Sequence, residues 1–304
     1  KWPKTDETFV RNFAPGKDII DLNKLCKKAE MWFVNSDVLL DYIHPTTPNM
    51  IECGGLTTKP SKPLPTNLND FVSNSKNGII VVSFGSMVSD FPHKIIVNLV
   101  EAFKKVDLDI IWRYSGKIKE IPKNVKTVAW LPQNDLLGHP KTRLFITHCG
   151  NNGQTEALYH GVPMIGLPIF GDQPYNAKRM AYKGYGIAMD IKTFKVNELV
   201  ENINTILKDE KFISQIKKAS KIFRSRPRNP RQRVVDTLEH VEEFGGDYLR
   251  PHSLDMPLYK LYLIDVIVTV FVTLVVLFYI FFKLLFYVIG FINKSKKLKS
   301  QKIE

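Results

Sequence analysis

The sequence predicts an α/β protein in which a Rossmann-like parallel sheet is flanked by helices and followed by one C-terminal transmembrane helix. Three observations carry that prediction. Short apolar runs rich in β-branched residues, as expected of strands buried on both faces, alternate with stretches of helical periodicity. Turns marked by glycine or proline follow several of these runs and open into helices. Finally, no charged residue occurs from Val266 to Phe282, inside an apolar stretch longer than the roughly 20 residues that a bilayer-spanning helix requires.

Taken in order, residues 1–56 are irregular. Met31 to Asp37 and Pro48 to Leu56 read as strand and turn pieces, with too few apolar residues to cover both faces of a sheet. Thr57 to Thr66 holds three prolines and reads as an extended linker. The main domain, 67–250, begins with a strand over Gly78 to Phe84 and a turn at Gly85-Ser86. Asp90 as N-cap and Pro92 in the first turn predict a helix to about Val106. Leu108 to Tyr114, Val125 to Trp130, Arg143 to Thr147, Pro163 to Leu167 and Tyr185 to Asp190 predict further strands. Helices are expected over Gln154 to His160, Pro174 to Lys183 (stopped by Gly184), Val196 to Lys208, Glu210 to Arg224 and Arg231 to Phe244 (ended by Gly245-Gly246). The apolar segment is 258–292, and a basic tail of 293–304 follows.

The 304 residues carry a net charge of +13, which raises the question of nucleic acid. Its distribution argues against that partner: the arginine-rich run from Arg224 to Arg233 holds two prolines and no aromatic to stack on bases, and much of the remaining excess sits in the last dozen residues. Cys26, Cys53 and Cys149 show no metal-ligand spacing, and an odd count cannot form a complete disulfide framework. The chain starts at Lys1 without a secretory pattern, so it reads as a piece of a longer protein.

Trp130 to Ala177 concentrates the chemistry. After Thr147 the chain turns through His148-Cys149-Gly150-Asn151-Asn152-Gly153 into a helix, so that backbone N–H groups face the region beyond the strand tips. Open parallel sheets bind ligands there, and a helix start suits a phosphate. An indole at Trp130 can stack on a planar base, His148 can donate to a phosphate, Glu156 can accept from ribose hydroxyls, and Asp172 with Gln173 can bond the hydroxyls of a sugar. Singly, each has an ordinary structural reading: a core tryptophan, a solvated helix glutamate, turn-forming serines. Their joint placement at successive strand ends points to a nucleotide sugar.

Trp130-x-Pro132-Gln133-x-x-Leu136-Leu137-x-His139-Pro140, then Phe145-x-Thr147-His148-x-Gly150, Glu156, Gly161-Val162-Pro163, Pro168 and Asp172-Gln173-x-x-Asn176 resemble the donor-binding signature of the UDP-glycosyltransferase family, the animal UDP-glucuronosyltransferases in particular. The resemblance implies the C-terminal Rossmann-like domain of a GT-B glycosyltransferase, with residues 1–56 left from the N-terminal acceptor-binding domain. It implies that Trp130 stacks on uracil with Gln133 and Arg113 near the nucleoside, that Ser83, Ser86, His148, Gly150, Asn152 and Gly153 face the diphosphate, that Glu156 meets the ribose, and that Asp172 and Gln173 meet the transferred sugar. The helix ending near Phe244 would brace the cleft. Cys149 departs from the family's glycine, so its side chain must point away from the phosphates or the loop must widen.

By the same resemblance the reaction is inverting transfer of glucose or glucuronate from UDP to a small lipophilic acceptor. No metal or cofactor is required beyond the UDP-sugar co-substrate. The family's base, a histidine steered by an aspartate, belongs to the N-terminal domain and is expected to be absent here; neither His44 nor His93 has a matching context. The alternative is a non-catalytic, membrane-tethered UDP-sugar-binding subunit that associates with full-length transferases as a homo- or hetero-oligomer. A sugar-nucleotide epimerase is a distant third, because the glycine fingerprint of a tightly held dinucleotide is missing.

Asp265 and Lys283 bracket the uncharged run, and Lys294, Lys296, Lys297, Lys299 and Lys302 follow it. The positive-inside rule then puts the tail in the cytosol and the main domain across the bilayer, which for this family means the endoplasmic reticulum lumen. Lys302 only partly resembles a dilysine signal, and the sequon Asn293-Lys294-Ser295 faces the compartment where it is not used.

Overall fold

The computed structural model describes residues 11–13, 26–86, 88 and 90–300, with side chains described as far as Asn293. Residues 1–10 and 14–25 of the expected acceptor-domain remnant, Lys302, and the lysine side chains of the basic tail lie outside the described residues. The chain divides into two compact units, Glu30–Tyr248 and a second made of Lys1–Ala29 with Leu249–Glu304.

The larger unit opens with two short parallel strands, β1 (Trp32–Val34) and β2 (Met50–Glu52). The proline-rich stretch is extended and leads into α1 (Thr66–Asn74), which buries Leu68 and Val72, one turn apart. Then β3 (Ile79–Ser83), α2 (His93–Lys104), β4 (Asp109–Arg113), β5 (Val125–Val128), α3 (Gln133–Leu137), β6 (Thr142–Thr147), α4 (Asn151–His160), β7 (Met164–Gly166), α5 (Gln173–Tyr182) and β8 (Gly186–Ala188) follow. Three helices complete the unit: α6 (Val196–Lys208), α7 (Glu210–Arg224) and α8 (Pro230–Phe244). The expected strands and helices are present, most with ends shifted by one to three residues.

Strands β3 to β8 form one sheet, all parallel, in the order β5-β4-β3-β6-β7-β8. The chain builds from β3 out to β5, returns, and builds the other way from β6. Neighbouring β3 and β6 therefore mark the point where strand order reverses, and the crevice beyond their carboxyl ends is the natural ligand site.

Two cores cover the two faces. Side chains alternate along a strand, so Ile80 and Val82 of β3 join Leu99, Phe103, Leu199 and Ile203 on one face, while Ile79 and Val81 join Leu136, Leu158, Met180 and Ile216 on the other. Every β3 residue is buried. At roughly 1.5–3 kcal/mol for each fully buried aliphatic side chain, this strand is the anchor of the unit.

One expectation is corrected. Asp90 is not an N-cap: α2 starts at His93, with Pro92 in the capping position. The residue before a proline avoids helical backbone, so Phe91 cannot be the first helical residue. Asp90 instead accepts hydrogen bonds from the Phe91 N–H and the Tyr114 hydroxyl, each at 2.8 Å, tying the loop after β3 to β4.

In the second unit, the apolar segment 258–292 is helical in two pieces. A short turn, α9 (Leu258–Leu261), is separated from α10 (Ile264–Ser300) by Leu263, whose φ is 54°. From Ile264 to Asn293, α10 has a mean hydropathy of 2.7 over its most apolar window and none of that window is buried, so it is long and apolar enough to cross a bilayer. Thr269 and Thr273 donate their hydroxyls to the carbonyls one turn back, each at 2.8 Å, which leaves no unpaired donor on either.

Candidate functional site

A cavity of about 830 Å³ opens at the carboxyl ends of the sheet, and Ser83, Ser86, Arg113, Trp130, Gln133, His148, Gly150, Asn152, Gly153, Glu156, Asp172 and Gln173 all line it. The structure thus brings every one of the expected site residues to one place. They come from the ends of β3, β4, β5, β6 and β7, and from the first turns of the helices that follow.

At one wall, Trp130 lies two residues beyond β5 with 72% of its surface exposed. The Arg113 guanidinium sits 5.1 Å from the indole centroid, donates to the Gly85 carbonyl, and donates to the Ala129 carbonyl at 3.3 Å. The side chain that positions the indole therefore also fixes the Gly85 turn. Gln133, first in α3, donates to Glu156 on α4 at 2.7 Å. Burial pushes the Glu156 carboxyl up, opposed by Gln133, Thr57 and the Lys59 charge.

The central wall is the start of α4. Gly150 occupies its N-cap position and among the described residues no side chain caps it, so the first backbone N–H groups are left for a ligand. His148 is wedged beside them: a Cβ built on Gly85 or Gly150 would come within 2.7 or 2.5 Å of its Nε2. Burial draws the His148 pKa down, partly opposed by the Ser83 backbone and the Asp172 charge. Its Nδ1 is buried without a hydrogen bond of normal geometry among the described residues. Cys149 adopts φ 65°, a left-handed conformation in which glycine is ordinary, yet its side chain is completely buried and faces Gly166 in the core. Its sulfur points away from the cavity. Asn176 holds the Cys149 carbonyl at 3.0 Å.

The third wall is the start of α5. Asp172 is exposed, with one carboxylate oxygen accepting from Asn176 at 2.7 Å. Gln173 lines the cavity but is 5% exposed, and its carbonyl oxygen already accepts from the N–H groups of Ile169 and Phe170. Only its amide nitrogen remains for a ligand, so of the pair Asp172 alone offers a free acceptor.

Asn35, Thr57, Lys59, Asn151, Phe170 and Arg231 also line the cavity, and sequence reasoning missed them. Lys59 sits in the stretch read as a linker, and Arg231 follows the helix-opening Pro230, donating to the Leu56 carbonyl at 2.6 Å. Two residues past the end of α8, the Gly246 N–H donates to Glu30 at 2.7 Å. A cationic side chain beside a proline is the only signal that sequence offered for these two; for Asn35 there was none.

The half-buried imidazoles give the unit a pH dependence. His139, His148 and His160 all have lowered pKa values through burial, His160 to about 4. The unfolded chain, titrating near 6.5, therefore binds more protons than the folded one between about pH 4 and 6.5, and stability falls as pH drops through that window. Glu156, raised above 4.5, acts in the opposite sense, one group against three. Thermal melting is expected to show a lower Tm at pH 5 than at pH 7, and a flat profile would mean that these rings are accessible to protons.

A family model described as "UDP-glucoronosyl and UDP-glucosyl transferase" matches residues 15–299. The UDP-glucuronosyltransferase 3A1 of Bos taurus is 38% identical over 301 residues, 97% of this chain and 57% of its own length. The chain thus spans a little over half the length of the curated relatives it matches. Among solved structures, the glycotransferase of kitacinnamycin superposes with a TM-score of 0.61 at 22% identity, covering 78% of this chain and 60% of that one, which places the fold with the GT-B glycosyltransferases. A UDP-glucose: anthocyanidin 3-O-glucosyltransferase in complex with UDP gives 0.51 at 29% identity, covering 60% and 44%.

Proposed function

The chain belongs to the UDP-glucuronosyl and UDP-glucosyl transferase family, and from that premise we propose that its six-stranded domain binds a UDP-sugar and presents the sugar to a small lipophilic acceptor. The observation that carries this reading is the convergence of an indole, a Gln–Glu pair, an uncapped helix start with a histidine, and an exposed aspartate along one cavity at the sheet's reversal point.

In this reading uracil stacks on the open face of Trp130, Gln133 holds the nucleoside, and Glu156 accepts from the ribose. The diphosphate meets the first N–H groups of α4 together with Ser83, Ser86, Asn152 and His148. Asp172 and the Gln173 amide take the sugar hydroxyls. As the bond from the anomeric carbon to UDP breaks, negative charge grows on the departing phosphate, and fixed N–H dipoles stabilise it without reorganising. A lowered pKa keeps His148 neutral near pH 7, so it serves as a hydrogen-bond donor rather than a standing cation. The acceptor enters from the opposite side, which gives inversion, and its proton goes to a base in the remainder of the longer protein. In the same proposal α10 anchors the enzyme in the endoplasmic reticulum membrane with the domain lumenal.

A UDP-sugar titration comparing the natural chain with Asp172→Ala tests the reading. The variant is expected to keep its UDP affinity and to lose its discrimination between UDP-glucose, UDP-glucuronate and UDP alone. Equal weakening of all three ligands would remove Asp172 from the sugar subsite.

A further inference from the structure

Arg179 lies midway along α5 and is 3% exposed. A guanidinium so desolvated is tolerated when its charge is matched and its terminal nitrogens find acceptors; its Nε is buried without a hydrogen-bond partner among the described residues. Its Nη1 pairs with Asp41 at 2.6 Å, and its Nη2 donates to Asn151 Oδ1 and, at 3.4 Å, to Gln154 Oε1. Asp41 belongs to the β1–β2 loop and accepts further bonds from Ser36 at 2.6 Å and from the Tyr175 hydroxyl at 3.2 Å. Burial would raise the Asp41 carboxyl, but Ser36 and Arg179 outweigh it and hold its pKa below 3.8, so the pair is ionised. In the same loop Asn35 donates to Asn152 at 3.2 Å, and its carbonyl accepts from Asn151 at 2.6 Å.

One loop therefore grips the first turn of α4 twice, directly through Asn35 and indirectly through Asp41 and Arg179. Arg179 is the only side chain in this network that touches α4, α5 and the β1–β2 loop at once. A planar fork can satisfy three acceptors in fixed directions, which an ammonium cannot.

We infer that Arg179 is a positioning residue: clamped by Asp41, it locks the first turn of α4 to α5, so that the diphosphate and sugar walls of the cavity are set as one rigid body. The names of those walls rest on the donor-site reading above; the clamp itself does not. Its consequence is that the β1–β2 loop, which touches no strand of the main sheet's binding edge through β-pairing, still governs how that edge is shaped.

Amide hydrogen exchange on the full chain in detergent micelles tests this, with and without UDP, for the natural protein, Asp41→Asn, Arg179→Lys and Asp41→Glu. Asp41→Asn and Arg179→Lys are expected to speed exchange together at 154–157 and 176–179, the first hydrogen-bonded amides of α4 and α5, by about tenfold or more, with β3 unchanged and Asp41→Glu partly restoring protection. Faster exchange confined to 35–42, or spread evenly over the sheet, would overturn the clamp and leave a pair that only stabilises the fold. As a second readout, Asp41→Asn should lower the ratio of UDP to uridine affinity by about tenfold, because uridine leans on Trp130 and Gln133, outside the clamp. Equal weakening of both ligands would count against positioning. If the coupled exchange appears but UDP protects nothing in the natural protein, the clamp stands and the donor-site reading falls.

Discussion

Gly150→Ala is expected to destabilise the larger unit and to weaken UDP binding more than any single contact would account for. The new Cβ would lie 2.5 Å from His148 Nε2 and 2.9 Å from Cε1, and the ring has little room to shift because Gly85 also packs closely on it, a Cβ built there lying 2.7 Å from the same nitrogen. Overpacking of this kind costs about 1–3 kcal/mol. Relief would come from shifting either the imidazole or the first turn of α4, and both are elements proposed to hold the diphosphate, so UDP affinity should fall by at least about tenfold. Gly153→Ala is the packing control: its Cβ would meet Gln133 Nε2 at an ordinary 3.4 Å, so the melting temperature should change little, whatever the variant does to UDP affinity at this cavity-lining position. Melting curves and a UDP titration on the two variants decide the matter. An unchanged Tm for Gly150→Ala would mean that His148 is not confined by the two glycines.

Trp130→Ala should separate binding from folding in the opposite way. With 72% of the indole exposed, little packing is lost and the melting temperature should barely move. Stacking on a base is worth about 1–3 kcal/mol, so the UDP dissociation constant should rise by roughly 5- to 150-fold. Trp130→Phe should fall between, since a smaller ring still offers a face. Calorimetric titration provides the measurement. A variant that binds UDP normally would remove the base platform and, with it, the orientation assigned to the whole ligand.

The parallel sheet was legible because its strands are buried on both faces and so announce themselves as β-branched runs; β3 and β6 are the clearest cases. The expected site residues were legible because each sits in the turn after a strand or in the first turns of the helix that follows, where local sequence fixes position. Contacts made over long separations were not. Asn35 reaches Asn152 across 117 positions, and no pattern in either segment names the other. The same holds for Asp41 and Arg179, and for Lys59 in a stretch whose prolines speak only of extension. Asp90 and Gln173 show a further limit: sequence identifies a polar group but not the partner it has already taken, Tyr114 in one case and the Ile169–Phe170 backbone in the other. The break at Leu263 has neither glycine nor proline to signal it.

The inward turn of Cys149 has a chemical corollary. Burial raises its pKa to about 12, so at neutral pH there is essentially no thiolate in the loop for an electrophile to find. Alkylating reagents and oxidants should spend themselves on Cys26, the one cysteine of the three with access to solvent. A fluorophore can thus be attached there while the ligand-facing loop stays chemically untouched.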